Sequence, residues 1–173
     1  MINKIQQVID SLEKEIALSN IAPKNTQLLF SIGSKYNALY SVLNEYDYLA
    51  KSIHYLTQLV QIDANHFDGL KLLGSAFIQC TSARKFPIDA EIELNRSAVL
   101  VLRGAIKLRP DSLDCLAMLA PSLGYLGELT NDLDLLKESV EISERALRID
   151  PNDYENRQVY NENKLKIDKM NNF

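Results

Sequence analysis

The side chains that could do chemistry in this chain are few and scattered. His54 and His66 are its two imidazoles, Cys80 and Cys115 its two thiols. None has a second ligand at metal-binding spacing, and no H-E-x-x-H run occurs, so neither a zinc site nor a metalloprotease helix is expected. His54 precedes Tyr55 in a helical pattern and reads as a surface or boundary residue. His66 falls in a turn, where it would cap a helix or meet solvent. Both cysteines sit inside apolar helical patterns. A chain of this size buries its own core, so they read as buried reduced thiols rather than a disulfide staple. No G-x-G-x-x-G run appears, and Gly124-Tyr125-Leu126-Gly127 lacks the Lys-Ser/Thr of a phosphate loop. Glu13 with Glu15, and Glu138 with Glu141 and Glu144, sit among apolar helical residues and read as solvated faces. The expectation is a protein with no catalytic residues, no metal and no cofactor: not an enzyme.

Composition narrows the class further. At 173 residues, 46% apolar and 24% charged, the chain fits one globular domain, and six glycines and five prolines leave little room for a turn-rich β architecture. The net charge of −4 opposes nucleic-acid binding, which needs clustered Lys and Arg. The N-terminal residues form no apolar signal region. The apolar run Ala98 to Leu102 ends at Arg103, far short of the ~18 to 20 residues a membrane span needs. A reducing, cytoplasmic setting is expected.

With little chemistry to position, the informative pattern is the chain's punctuation. Ile21-Ala22-Pro23-Lys24, Ile62-Asp63-Ala64-Asn65, Leu108-Arg109-Pro110-Asp111 and Ile149-Asp150-Pro151-Asn152 are four related phrases. Their third residues fall at 23, 64, 110 and 151, so the steps are 41, 46 and 41 residues. Pro cannot continue a helix, and Asn25, Asp111 and Asp153 are placed to cap the next one. A second pattern follows each of the first three phrases: Leu29, Ile32, Gly33, Tyr36; then Leu70, Leu73, Gly74, Phe77; then Leu116, Leu119, Ala120, Leu123. Spacings of three, one and three put each set on one helix face, with a small residue where a neighbouring helix must come close. The helices leading into the later phrases carry apolar stripes and small residues of their own: Ser52, Ala98 and Ser139, then Ala105 and Ala146.

Antiparallel helix pairs with this L-x-x-[LI]-[GA]-x-x-[YFL] pattern and a terminal Pro-Asn/Asp resemble tetratricopeptide repeats. The resemblance implies an all-α fold, an α-solenoid of antiparallel helix pairs in a right-handed superhelix of about eight helices. Residues 1–22 would form an N-terminal helix, 23–63, 64–109 and 110–150 three repeats, and 151–173 a capping helix, its Asn156, Asn161, Asn163 and Lys164 turned to solvent. The usual repeat is about 34 residues. The surplus is expected to lengthen the first helix of unit one through Tyr40, Leu43 and Tyr46. In unit two it would form a loop from Thr81 to Ile88, with a helix starting near Asp89. In unit three it falls around Gly127 to Asn131, with Asn131 or Asp132 as cap.

The resemblance also implies a concave groove lined by the first helices. The inward candidates are Phe30, Ser34 and Asn37, then Lys71, Ser75 and Ile78, then Ala117, Met118, Pro121 and Tyr125. Pro121 interrupts a helix, so it is expected to kink it. Family members that bind chaperone tails hold a C-terminal carboxylate with basic and Asn side chains. The corresponding places here are Phe30, Ser34, Leu72, Asp114 and Met118, so no Hsp70- or Hsp90-type acidic tail is expected to bind. The leading expectation is a protein-binding adaptor or scaffold that takes a peptide or helical segment in the groove, as a monomer or weak homodimer. The alternative is a small secretion or assembly chaperone. A self-stacking module and an RNA reader fit less well: the polar C-terminal segment opposes stacking, and the irregular spacing and acidic balance oppose RNA.

Overall fold

A computed structural model describes residues 2–82 and 86–171, with side chains from residue 5 onward. Eight helices make up the described chain: α1 (Ile2–Ile21), α2 (Thr26–Leu43), α3 (Tyr46–Ile62), α4 (Phe67–Ser82), α5 (Ile88–Leu108), α6 (Leu113–Thr130), α7 (Leu133–Ile149) and α8 (Tyr154–Asn171). The described residues contain no strand. Two compact units divide inside α4, one running to Ala76 and the other from Phe77.

The terminators work as caps, with one shift of position. Asn25 Oδ1 accepts from Leu28 N at the start of α2, and Asp153 Oδ1 from Asn156 N at the start of α8. His66 fills the same role for α4, its Nδ1 accepting from Gly69 N at 2.9 Å. Asp111 does not cap α6. The N-cap is Ser112, one residue on, and its side chain makes no capping bond.

The surplus residues mostly lengthen helices. α2 runs to Leu43 and stops at Asn44, φ 54°; α6 runs to Thr130 and stops at Asn131, φ 52°. Asn tolerates the left-handed conformation that ends a helix this way. Tyr46 therefore belongs to α3 rather than to the lengthened α2. Asp132, not Asn131, caps α7, accepting from Asp134 N and Leu135 N. In the second unit's insertion Thr81 and Ser82 still belong to α4, and Ile88 already begins α5, so the expected loop is shorter at both ends. Ala83, Arg84 and Lys85 lie outside the described residues.

In the first unit α2 packs along α3, and α1 adds Leu12 to a core with Ile32, Tyr36 and Leu39. Each large side chain buried this way contributes about 1.5–3 kcal/mol. Gly33 brings α3 close: a Cβ there would lie 2.7 Å from Leu56 Cγ. Tyr36 stacks near Tyr48 and Tyr55, and burial, then those two neighbours, push its pKa up. Glu15 is not a purely solvated carboxylate: it takes the Lys35 ammonium at 2.6 Å and the Ser31 hydroxyl at 3.1 Å.

In the second unit α6 packs against α5, α7 and α8. Two of the small residues on second helices are also hydrogen-bond donors. Ser52 Oγ reaches the Gly33 carbonyl at 2.9 Å, and Ser139 Oγ the Ala120 carbonyl at 2.5 Å. Both hydroxyls land on the small residue of the facing motif, where helices approach closely enough for a side chain to touch backbone. Ser139 also accepts from Asn163 Nδ2 at 2.8 Å. Asn163 and Asn156 are therefore buried, not turned to solvent, because they lie seven residues apart on the face that α8 presents to its neighbours. Asn163 fits only because residue 124 is Gly, since a Cβ there would collide with the Asn163 amide. Glu138 likewise is held by Arg103 in a two-pronged ion pair, while Glu141 and Glu144 are exposed as expected.

Candidate functional site

α6 carries Ala117, Met118, Pro121 and Tyr125 on one face, at helical spacings of one, three and four. The end of α4 adds Ile78. These five side chains line a single open cleft of about 460 Å³ within the second unit, floored by Asn95 of α5. Five of the ten groove residues expected from the sequence thus come together. Ile78, Met118 and Tyr125 are half-buried and Pro121 is exposed, so the apolar wall is accessible from outside.

The other five lie in the first unit. Phe30 is half-buried with its ring 5.0 Å from the His66 ring. Lys71 holds its ammonium 5.9 Å from the Phe67 ring centroid. Ser34 Oγ and Asn37 Nδ2 are enclosed without a hydrogen-bond partner among the described residues, and Ser75 is half-buried on α4.

Glu91 and Asn95 were not among the expected site residues. Both are buried on α5, and the Tyr125 hydroxyl donates to Glu91 Oε2 at 2.9 Å. Their signal was present: stepping back from Ala105, Leu102 and Ala98 by three and four residues reaches Asn95 and then Glu91. Two polar residues continuing an apolar stripe mark a place where the buried face meets something other than core.

A second cleft of about 420 Å³ lies elsewhere in this unit, along α5, α6 and the start of α7. Leu100, 71% exposed, stands at it between Arg96 and Arg103. Arg103 is paired with Glu138, whereas Arg96 makes only an exposed 3.6 Å contact with Glu93.

The remaining chemistry is sparse. His54 is exposed and bonds to Gln58 at 2.9 Å. Cys80 and Cys115 are buried, as expected, and lie outside any disulfide among the described residues, and burial pushes the Cys80 pKa up. Among the described residues no group of three or more His, Cys, Asp or Glu could hold a metal ion. No helix among them is long and apolar enough to cross a membrane.

No protein-family model matches the sequence, and no curated protein matches it. Solved structures do match in fold. A crystal structure of MamA is 16% identical, covers 99% of this chain and 95% of its own, and superposes with a TM-score of 0.65. The first TPR of Spaghetti (RPAP3), bound to an HSP90 peptide, is 15% identical over 82% of this chain and 94% of its own, at 0.56. TTC0263, a thermophilic TPR protein of Thermus thermophilus, is 15% identical over 95% of this chain and 94% of its own, at 0.52. At such identities the likeness speaks to fold, and it agrees with the helix pairs, their small-residue contacts and their terminators. The chain is an all-α solenoid with the tetratricopeptide-repeat fold.

Proposed function

We propose that this chain is a non-enzymatic adaptor that holds a segment of a partner protein, extended or helical, with the α6 cleft of the second unit as its anchor. The observation that carries this reading is the convergence of Ile78, Ala117, Met118, Pro121 and Tyr125 on one accessible cleft. A concave, mostly apolar surface with a few placed polar groups suits the apolar anchors of a peptide. The likeness to a repeat solved with a bound HSP90 peptide supports a peptide ligand in general. We do not extend it to an acidic tail: Phe30, Ser34, Leu72, Asp114 and Met118 stand at the places that correspond to the basic and Asn side chains of the family's carboxylate clamp.

The test is affinity purification from the native organism with the wild type and the Ile78→Ala/Met118→Ala double variant. Both side chains are half-buried, so the variant should keep its helical circular dichroism while losing the specific partner. Recovery of the same partner by the folded variant would move the contact elsewhere. Turnover of a small molecule without any specific partner would refute the adaptor reading.

A further inference from the structure

α8 is docked differently from the other helices of the second unit. α5, α6 and α7 carry the fully buried Leu102, Leu116, Leu119, Leu123 and Leu136. The side chains that α8 buries are instead Asn156 and Asn163. Its apolar side chains stay at the margin: Val159, Ile167 and Met170 are half-buried, and Leu165 is exposed. The polar seat is incompletely paired. Asn163 Nδ2 donates to Ser139 Oγ, but Asn156 Oδ1 is enclosed with no hydrogen-bond partner among the described residues. Ser143 Oγ, one turn along α7 from Ser139 and on the same face, is enclosed without one as well. A buried polar atom left unpaired subtracts from docking, and it regains water when the surfaces part. Large apolar side chains would offset that loss, and α8 buries none. At the surface Lys166 Nζ reaches Glu128 Oε2 at 2.7 Å, an exposed pair that adds little.

We propose that α8 is a releasable latch: it undocks from α6 and α7 as a unit while those helices stay folded. Release bares Gly124 and Ser139, the seat of the Asn163 amide. Access to that face is then set by the latch rather than by global unfolding. Once undocked, α8 has little stability of its own. It is polar, Asn156, Asn161 and Asn163 are weak helix formers, and a single helix of 18 residues is marginal in water. Its backbone amides therefore meet solvent whenever it leaves its neighbours. Gly124 does not line the α6 cleft, so the latch is independent of the peptide-groove reading.

The test is amide hydrogen exchange of the full chain in native buffer, comparing peptides from α8 with peptides from α6 and α7. Peptides throughout α8, those spanning residues 157–163 included, should be protected at least about tenfold less than those of α6 and α7, and by a similar factor along the helix. Equal protection of α8 and its neighbours overturns the proposal. So does loss of protection confined to the last turn before Asn171, which is fraying of a chain end. Both readings come from the wild type and need no variant to fold. Asn163→Leu then tests the cause. Leu has about the shape of Asn, Ser139 keeps its bond to the Ala120 carbonyl, and one large apolar side chain becomes buried. Exchange throughout α8 should slow by about tenfold or more. Unchanged or faster exchange in α8 would show that the polar seat does not set the latch, and overturns the proposal.

Discussion

Ser139→Ala is the substitution whose cost the structure specifies best. Ser139 is 0% exposed, donates to the Ala120 carbonyl and accepts from Asn163 Nδ2. Removing its hydroxyl loses the first bond, worth about 0.5–1.5 kcal/mol net. It also strands the Asn163 amide, which is 3% exposed and confined by Gly124, so a buried unsatisfied donor adds about 1–3 kcal/mol. The expected loss is therefore about 1.5–4.5 kcal/mol. Ser52→Ala provides the internal control. Ser52 makes the equivalent bond to the Gly33 carbonyl, but no side-chain donor depends on it, so it should cost only about 1 kcal/mol. In a double-mutant cycle with Asn163→Leu, the second substitution should recover part of the Ser139→Ala loss, because the stranded donor is gone. Urea unfolding followed by circular dichroism, analysed at constant slope, reads every variant. Equal costs for Ser52→Ala and Ser139→Ala, or additive behaviour of Ser139→Ala with Asn163→Leu, would refute the argument.

Ser143 Oγ is buried without a partner among the described residues, so Ser143→Ala should be neutral or stabilising by up to about 1 kcal/mol in the same urea assay. Gly33→Ala should destabilise by about 1–3 kcal/mol, because its Cβ would press on Leu56, a fully buried side chain with little room to yield. Asp153 is held below its ordinary carboxylate pKa of 3.8, chiefly by the Asn156 backbone N–H and then by the Asn156 side chain. A depressed folded pKa contributes stability above the unfolded value and loses it as pH falls through the folded one. The gap in stability between wild type and Asp153→Ala should therefore be full at neutral pH and shrink below about pH 4, and a gap that stayed constant into acid would contradict this assignment. Cys80 and Cys115 should react with a thiol reagent only in denaturant, and rapid labelling of the native chain would show that the buried positions open readily.

Much of this fold is legible in the sequence because its signals are local. Leu29, Ile32, Gly33 and Tyr36 are buried together because a three-one-three spacing leaves them no other face. Asn25 and Asp153 cap helices because the bond each makes spans only three residues. What escapes are choices made between helices. Ser52 and Ser139 read as small spacers, and nothing nearby in sequence marks a carbonyl nineteen residues away as their acceptor. α8 is polar in composition, yet composition does not say which face turns inward, so Asn156 and Asn163 read as solvent residues. Glu15 and Glu138 read as solvated because their cations, Lys35 and Arg103, sit on other helices. The cleft is half legible for the same reason. Helical spacing gathers Met118, Pro121 and Tyr125, but Asn95 reaches the cleft from α5, and Glu91 of the same helix meets Tyr125, across a tertiary contact.

The central claim is that a partner segment anchors in the α6 cleft, and site-specific photo-crosslinking tests it most directly. A benzophenone amino acid placed at Ala117 puts a reactive group at the cleft wall; the same residue at Leu100 puts one at the second cleft. Irradiation in cells of the native organism should join one discrete partner to the Ala117 variant and leave the Leu100 variant unlinked. Crosslinking of that partner from Leu100 and not from Ala117 would contradict the account.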